Sequence, residues 1–213
     1  MKRIKTLLIL FCCLTGMAAQ AQVPMNEEQA TAYTNPLEKK KVIHTLIANY
    51  KTGWITSDVY TPEGKKSGLN GTGFELGYRA LYSSGMGIGF YYDHSETDYP
   101  ISRSKKENLK LNYGGLSLFY GGPVGRQWIA TIETGVGYGH YNDGYTSDGG
   151  LGLKEGLGLE YQLSPYIGIG IGVDYTLMIF GNQKEYISIP KNYNVTGFKR
   201  LSLHAGLRIY LGK

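Results

Sequence analysis

The sequence predicts an all-β fold, an eight-stranded antiparallel up-and-down transmembrane β-barrel, on three observations. Eight segments alternate apolar side chains with polar or glycine residues, which is the period of a β-strand. The connections between these segments are long and short in alternation. Glycine is more frequent than usual, with 31 Gly in 213 residues, and much of it falls on the strand face opposite the apolar side chains.

The stretch YIGIGIGVDYTLMIF, residues 166–180, shows this pattern most clearly. One face carries the apolar side chains Ile167, Ile169, Ile171, Val173, Leu177 and Ile179. The other face carries Gly168, Gly170, Gly172, Asp174 and Thr176. In a soluble sheet the face opposite the core is usually covered by longer polar residues. Glycine is better explained by a cramped interior, and the isoleucines then face an apolar solvent.

The remaining strand candidates follow the same rule. The eight predicted strands are residues 44–56, 71–82, 86–94, 109–120, 128–141, 151–163, 166–180 and 198–212. Their connections run long, short, long, short, long, short, long, so up-and-down hairpins collect the long polar loops at one end. An even number of strands of about ten residues, with short turns on one side and long loops on the other, is typical of barrels that span the bacterial outer membrane.

The N-terminus carries an export signal. Three basic residues among the first five precede the apolar run TLLILFCCL, and the sequence AQA ending at residue 21 fits signal-peptidase cleavage. We therefore expect a signal peptide over residues 1–21, a flexible periplasmic segment over residues 22–41 and the barrel domain over residues 42–213. An alternative is that residues 22–41 fold back to plug the barrel.

Removal of the signal changes the composition. Both cysteines leave with it, so the mature chain has no thiol or disulfide chemistry. Three of the 22 basic residues also leave, and the remaining 19 against 17 acidic residues give a net charge of +2. This near balance gives no reason to expect a nucleic-acid partner.

Over residues 42–213 the chain resembles the small eight-stranded outer-membrane β-barrel proteins of Gram-negative bacteria, the outer membrane protein A/X-like barrels. Its last strand, HAGLRIYL, resembles the C-terminal signal that the barrel-insertion machinery recognises, although the chain ends in Gly212-Lys213 rather than in an aromatic residue. The resemblance implies location in the cell outer membrane and assembly by that machinery. It also implies contact with outer-membrane lipid and lipopolysaccharide, and a monomer without cofactors.

Charged residues fall on the inward face of the predicted strands. By strand parity this set is Lys51, Glu75, Arg79, Lys110, Glu133, Lys154, Glu160, Asp174, His204 and Arg208. The two signs are nearly balanced, and buried charges persist only when they are paired or hydrogen-bonded. We therefore predict a network of ion pairs across the interior and no stable open pore, since eight strands enclose room only for side chains or one small ligand.

The segment LKLNYGGLSLFY, residues 109–120, departs from the regular period. Its apolar positions are odd up to Tyr113 and even from Leu116 onward. A β-bulge at Gly114-Gly115 would absorb the extra residue. The alternative is that the strand is placed incorrectly.

The predicted function is a structural or surface-interaction role, carried by four outer loops on a rigid scaffold. Two of these loops, residues 93–108 (DHSETDYPISRSKKEN) and residues 181–197 (GNQKEYISIPKNYNVTG), combine charged and aromatic side chains. Loops that only shield the barrel rim are equally compatible with the sequence. Carriage of a small apolar ligand and modification of outer-leaflet lipid A are the two alternative functions.

The enzyme alternative rests on His140 and Glu155. If the hairpin that joins their strands is symmetric about residues 147 and 148, these outward side chains lie opposite each other near the outer leaflet. Such a pair resembles part of the triad of the lipid A 3-O-deacylase barrels. In that family a serine stands two residues after the histidine, and this chain has Asn142 there, so the histidine lacks a nucleophile to deprotonate. We therefore predict no catalytic residues and a protein that is not an enzyme.

Metal and nucleotide motifs are not found in the sequence. The four histidines are far apart and no pair has the spacing of metal ligands. The repeated glycines follow strand spacing rather than the G-x-G-x-x-G turn that precedes a helix. The sequence therefore predicts no metal site and no cofactor-binding residues.

Overall fold

A computed structural model describes residues 42–57, 59–61, 64–102, 105–124, 127–142, 147–180 and 197–211. The predicted signal peptide and the segment over residues 22–41 lie outside these ranges. The strands are β1 (Val42–Ile55), β2 (Val59–Thr61), β3 (Gly64–Lys66), β4 (Leu69–Tyr82), β5 (Met86–Ser102), β6 (Lys105–Pro123), β7 (Trp128–Asn142), β8 (Ser147–Gln162), β9 (Ile167–Phe180) and β10 (Gly197–Leu211). None of the described residues belongs to a helix long and apolar enough to cross a membrane.

Eight of these strands close into an antiparallel barrel in the order β1-β10-β9-β8-β7-β6-β5-β4. Each strand therefore pairs with its neighbour in sequence, and the first and last barrel strands close the ring. Strands β2 and β3 form a separate two-stranded hairpin in the connection between β1 and β4. The predicted all-β, up-and-down eight-stranded barrel is confirmed.

The strand registers determine how far the strands tilt. Following paired residues around the barrel from Trp54 leads back to β1 at His44, a stagger of 54 − 44 = 10 residues. Ten residues of about 3.3 Å, set against eight strands about 4.8 Å apart, correspond to a tilt of about 40°. This tilt is typical of barrels that cross the outer membrane.

The glycine-rich face of β9 lines the interior. Ile167, Ile169 and Ile171 are exposed on the outer wall. A Cβ atom at Gly170 would lie 2.5 Å from Nη2 of Arg208, so the absent side chain leaves the space that the guanidinium occupies. The glycines are therefore found where long polar side chains from β10 cross the barrel.

The β-bulge predicted at Gly114-Gly115 is wrong. Strand β6 keeps a continuous register with β5 and with β7 through these residues. Its odd positions point inward from Leu109 to Phe119, on both sides of the two glycines, and Leu109, Leu111 and Tyr113 are buried. The apparent slip arises because the interior is apolar at the outer end of the barrel, so apolar residues there face inward.

The charged segment after residue 94 is largely strand rather than loop. Strand β5 continues to Ser102, and β6 begins at Lys105. Pairing of β5 with β4 stops at Thr97, and pairing of β6 with β7 stops at Lys110. Beyond these residues β5 and β6 pair with each other, so their hairpin projects past the rim formed by the neighbouring strands.

Candidate functional site

The barrel interior contains a network of charged side chains. Its buried or partly buried cations are Lys51, Arg79, Lys154, Arg200 and Arg208. Its carboxylates are Glu75, Asp93, Glu133, Glu160 and Asp174. Five cations against five carboxylates leave no net charge before His204 is counted. This balance is what allows so many ionised groups to remain away from bulk water.

The half of the network nearer the outer end of the barrel is called the upper ion cluster. Lys51 lies at its centre. Its Nζ lies 3.1 Å from Oε2 of Glu75 and 2.9 Å from Oδ2 of Asp174, and it also contacts Asp93. The side chains of Lys51 and Asp174 have no exposed surface. One ammonium group therefore joins carboxylates from β4, β5 and β9.

Lys154 on β8 is the second lysine of the upper ion cluster. Its Nζ lies 2.7 Å from Oε2 of Glu75 and 3.1 Å from Oε1 of Glu133. The same ammonium lies 4.3 Å from the centroid of the Tyr91 ring, within the range of a cation–π contact. Glu75 therefore bridges the two lysines.

Two further groups complete the upper ion cluster. Nη1 of Arg200 lies 2.9 Å from Oδ1 of Asp93. Nδ1 of His204 lies 3.1 Å from Oδ2 of Asp174. Each carboxylate that contacts Lys51 thus has another basic side chain close to it.

The lower ion cluster lies nearer the short turns. Oε2 of Glu160 lies 2.8 Å from Nη2 of Arg79, and its Oε1 lies 2.8 Å from Nε of Arg208. Asn49 connects the two clusters, because it accepts a hydrogen bond from Arg208 Nη1 at 2.7 Å and donates one to Glu75 at 3.0 Å. A cavity of about 30 Å³, lined by both charged and apolar side chains, lies at this junction and is large enough for a water molecule.

Apolar side chains cover the network at both ends. The upper apolar layer consists of Ile55, Tyr91, Leu109, Leu111, Tyr113, Tyr141, Met178, Phe180 and Phe198. The lower apolar layer consists of Ile43, Leu81, Ile129 and Tyr210. Within the upper layer, the Tyr141 and Phe180 ring centroids are 4.9 Å apart. The described side chains thus fill the barrel axis with two apolar layers and, between them, two ion clusters.

Lys110 lies outside this network, which corrects its predicted inward placement. Its side chain is 52% exposed, and its Nζ lies 3.4 Å from Oε1 of Glu96. The reason is strand parity, because the buried neighbours Leu109 and Leu111 occupy the inward positions of β6. The other nine predicted residues project into the interior, where the ion pairs described above bring them together.

Two members of the network, Asp93 and Arg200, were missed in the sequence. The signal was present in both cases. Asp93 alternates with the outward residues Tyr92 and His94 on β5, and Arg200 shares its parity with His204 and Arg208 on β10. Asp93 belonged both to the end of the predicted strand 86–94 and to the start of the predicted loop 93–108, and it was left out of the inward set.

The structure does not bring His140 and Glu155 together. His140 lies opposite Gly149, and Glu155 lies opposite Thr134. The hairpin closes at the pair Asn142–Ser147, earlier than the symmetric position assumed from the sequence. Glu155 is therefore 155 − 149 = 6 residues from the partner of His140, a distance of about 20 Å along the strand. The lipid A deacylase-like pair has no support in this geometry.

Metal ligands are not grouped anywhere in the described strands and turns. No set of three or more His, Cys, Asp or Glu side chains there has an arrangement that could hold a metal ion. The carboxylates of the interior are instead occupied by lysine and arginine side chains.

Three solved structures share the fold at low sequence identity. Ail of Yersinia pestis, in complex with the heparin analogue sucrose octasulfate, is 15% identical, with a TM-score of 0.51 over 81% of this chain and 100% of that chain. Neisserial surface protein A is 12% identical, with a TM-score of 0.54 over 80% and 97% of the two chains. OprG from Pseudomonas aeruginosa is 16% identical, with a TM-score of 0.52 over 83% and 99%.

The family assignment comes from the sequence as a whole. No curated protein matches the chain. The family described as outer membrane protein beta-barrel domain matches residues 9–208, which is nearly the full length. Together with the closed barrel of eight tilted strands, this match places the protein in the outer membrane of Gram-negative bacteria. The chain belongs to the outer membrane protein β-barrel domain family.

Proposed function

We propose that this protein is a closed outer-membrane scaffold that acts at the cell surface through its outer loops, and that it is neither an open pore nor an enzyme. The observation that carries the proposal is the filled interior. Lys51 and Lys154 cross the middle of the barrel, with apolar layers above and below them. Eight strands leave space only for side chains or one small ligand, and the side chains already use it.

The projecting β5–β6 hairpin is the best candidate for the interacting element. Its two strands pair with each other beyond Thr97 and Lys110, where neither has another barrel neighbour. Strand pairing up to Ser102 and Lys105 orders the backbone of both arms of this hairpin, and a backbone that is already ordered lowers the entropic cost of binding. Such loops on rigid scaffolds commonly carry recognition.

The sequence of this hairpin suggests the first class of ligand to test. Residues 103–106 read Arg-Ser-Lys-Lys, which places three cations within four positions. A neighbour of the same fold, Ail, was solved in complex with the heparin analogue sucrose octasulfate. Sulfated polysaccharide is therefore the ligand with which we would test surface binding, since clustered Lys and Arg attract dense negative charge.

The test is binding of immobilised heparin by the purified, folded barrel in detergent. We expect the double variant Lys105→Glu with Lys106→Glu to bind at least about tenfold more weakly, because two attractive charges become repulsive. The matched control is Lys65→Glu with Lys66→Glu, which reverses another Lys-Lys pair in the hairpin of β2 and β3. Equal loss in both variants would indicate attraction by net charge alone and would contradict a role for the β5–β6 hairpin.

A shortened hairpin tests the surface role without assuming a sulfated ligand. Asn-Gly would replace residues 99–107, which retains the pair Asp98–Asn108 and closes it with a two-residue turn. We expect the shortened protein to fold, which faster gel migration without boiling would show, and to lose adhesion of expressing cells to host-derived or bacterial surfaces. Adhesion equal to that of the full-length protein would count against this hairpin as the interacting element.

A further inference from the structure

Glu155 is an acidic residue on the lipid-facing wall of the barrel. Its side chain is exposed, and its neighbours on the same strand face, Leu153 and Leu157, are exposed leucines. Its carboxylate accepts one hydrogen bond from the hydroxyl of Thr134 at 2.7 Å. Unlike the interior carboxylates, it has no basic partner among the ion pairs of the described residues.

Strand positions give the depth of Glu155 in the membrane. The exposed rings of Trp128 and Tyr138 on β7 are 138 − 128 = 10 residues apart, about 25 Å along the axis of a barrel tilted by about 40°. This span equals the apolar band of an outer-membrane barrel. Thr134, directly opposite Glu155, lies six residues above Trp128, or about 15 Å, and the tilt of the strands raises each partner by about 3 Å from β7 to β8 and again from β8 to β9. Glu155 therefore lies about 18 Å above Trp128, in the outer half of the band.

The neighbouring strand refines this depth. Glu155 is paired on its other side with Tyr175, whose ring is 39% exposed on the lipid-facing wall. Tyrosines at this level belong to the outer aromatic girdle, where lipid linkage groups meet the acyl chains. Glu155 thus lies about 7 Å below the level of Tyr138, and its side chain, extended toward the outer end, comes within hydrogen-bond reach of the linkage groups of outer-leaflet lipids.

An acidic side chain at this depth needs hydrogen-bond donors. An ionisable group in the apolar band is costly, and such residues are usually functional. A carboxylate has about four acceptor positions, and Thr134 fills one of them. The ester linkages of glycerophospholipids offer only acceptors. Amide-linked 3-hydroxyacyl chains offer an N–H and an O–H donor at the outer edge of the band, toward which the Glu155 side chain can extend.

We propose that Glu155, positioned by Thr134 and flanked by Tyr175, is a lateral recognition site for the amide-linked 3-hydroxyacyl groups of lipid A. The carboxylate accepts hydrogen bonds from the amide N–H or from the 3-hydroxyl group of an adjacent lipid A molecule. Leu157, which follows Glu155 on the same face toward the middle of the membrane, contacts the acyl chain below this point. The site is independent of the outer loops and of the interaction proposed for them.

The test compares lipid retention by variants in nanodiscs of phosphatidylethanolamine and phosphatidylglycerol that also contain lipid A. Native mass spectrometry would count the lipid A molecules that stay bound to each released barrel. We expect Glu155→Leu to retain lipid A about tenfold less than the unmodified protein, the change for losing one hydrogen bond to a charged group. Glu155→Gln keeps one acceptor oxygen and should retain an intermediate amount. Leu76→Ala, an exposed leucine of the outer wall on β4 and therefore on the opposite side of the barrel, is the matched control and should retain lipid A normally.

Thermal unfolding in the same nanodiscs gives a second readout, in which Glu155→Leu should raise the unfolding temperature without lipid A and remove the stabilisation that lipid A gives. Without lipid A, Glu155→Leu should unfold at a higher temperature than the unmodified protein, because a costly lipid-facing acid is removed. With lipid A, the unmodified protein should gain stability and Glu155→Leu should not. Gel migration without boiling establishes that each variant is folded.

Three results would overturn the proposal. If Glu155→Leu retains lipid A as well as the unmodified protein does, Glu155 does not bind lipid A. A ceramide, which also carries an amide and a 3-hydroxyl group, could be retained as strongly as lipid A, which would exclude lipid A as the particular ligand. If the mass spectrum shows a dimer of the barrel that disappears in Glu155→Leu, this face binds a second copy of the chain and not lipid A.

Discussion

Lys51 on β1 and Asp174 on β9 are 123 positions apart in the chain, yet Nζ of Lys51 lies 2.9 Å from Oδ2 of Asp174 in the barrel interior. Closure of the sheet pairs β1 with β10, which places β1 only two strands away from β9 around the ring. The contact is therefore a consequence of the barrel as a whole and not of any one hairpin.

Replacing Lys51 by methionine should destabilise the barrel strongly. The variant keeps most of the side-chain volume but leaves Glu75, Asp93 and Asp174 close together without the ammonium that joins them. Removing one partner of a buried ion pair costs about 3–5 kcal/mol of the free energy of unfolding. Urea unfolding in lipid vesicles, followed by tryptophan fluorescence, measures this loss.

The control for that variant is Lys110→Met. Lys110 is exposed and pairs only loosely with Glu96, so its removal should change the free energy of unfolding by no more than about 0.5 kcal/mol. Similar losses in both variants would mean that the interior network has no special role in stability.

Gly170→Ala should also destabilise the barrel. The added Cβ would lie 2.5 Å from Nη2 and 2.6 Å from Cζ of Arg208. The guanidinium is held by Glu160 and Asn49 and cannot move without loss of those hydrogen bonds, so we expect a cost of about 1–3 kcal/mol. Gly122→Ala is the matched control, since a Cβ there meets nothing within 4 Å. A stability of Gly170→Ala equal to that of Gly122→Ala would show that the interior repacks freely.

The protein should show no steady porin-like conductance in a planar bilayer. The ion clusters and the two apolar layers occupy the axis through which ions would pass. Current recordings on the purified full-length protein test this expectation, with a porin of known conductance as the positive control. Large and reproducible conductance steps would refute the closed-barrel proposal.

Lipid A composition should be unchanged by the protein. His140 is paired with Gly149 and Glu155 with Thr134, so the two residues lie about 20 Å apart along the β7–β8 hairpin. They therefore cannot act on the same substrate bond. Mass spectrometry would compare lipid A from cells with the protein, without it, and with His140→Ala or Glu155→Ala. Loss of an acyl chain that depends on either residue would establish an enzyme.

The sequence by itself determined which side of each regular strand faces the membrane. Side chains alternate along a strand whatever its partner is, so Ile169 and Gly170 had to face opposite ways. The same local rule placed Glu75, Arg79 and Asp174 inside. It also predicted that charges of opposite sign would meet there, because an unpaired charge in that position is too costly.

Only the tertiary structure decided the register and the extent of the layers. Parity does not reveal where a hairpin closes, and a closure at Asn142–Ser147 moved Glu155 away from His140 to Thr134. Parity also does not reveal that the interior becomes apolar near the outer end, which is why Leu109 and Leu111 face inward and Lys110 does not. Both properties depend on how eight strands tilt and pair around the ring, and that is a property of the closed barrel rather than of any one segment.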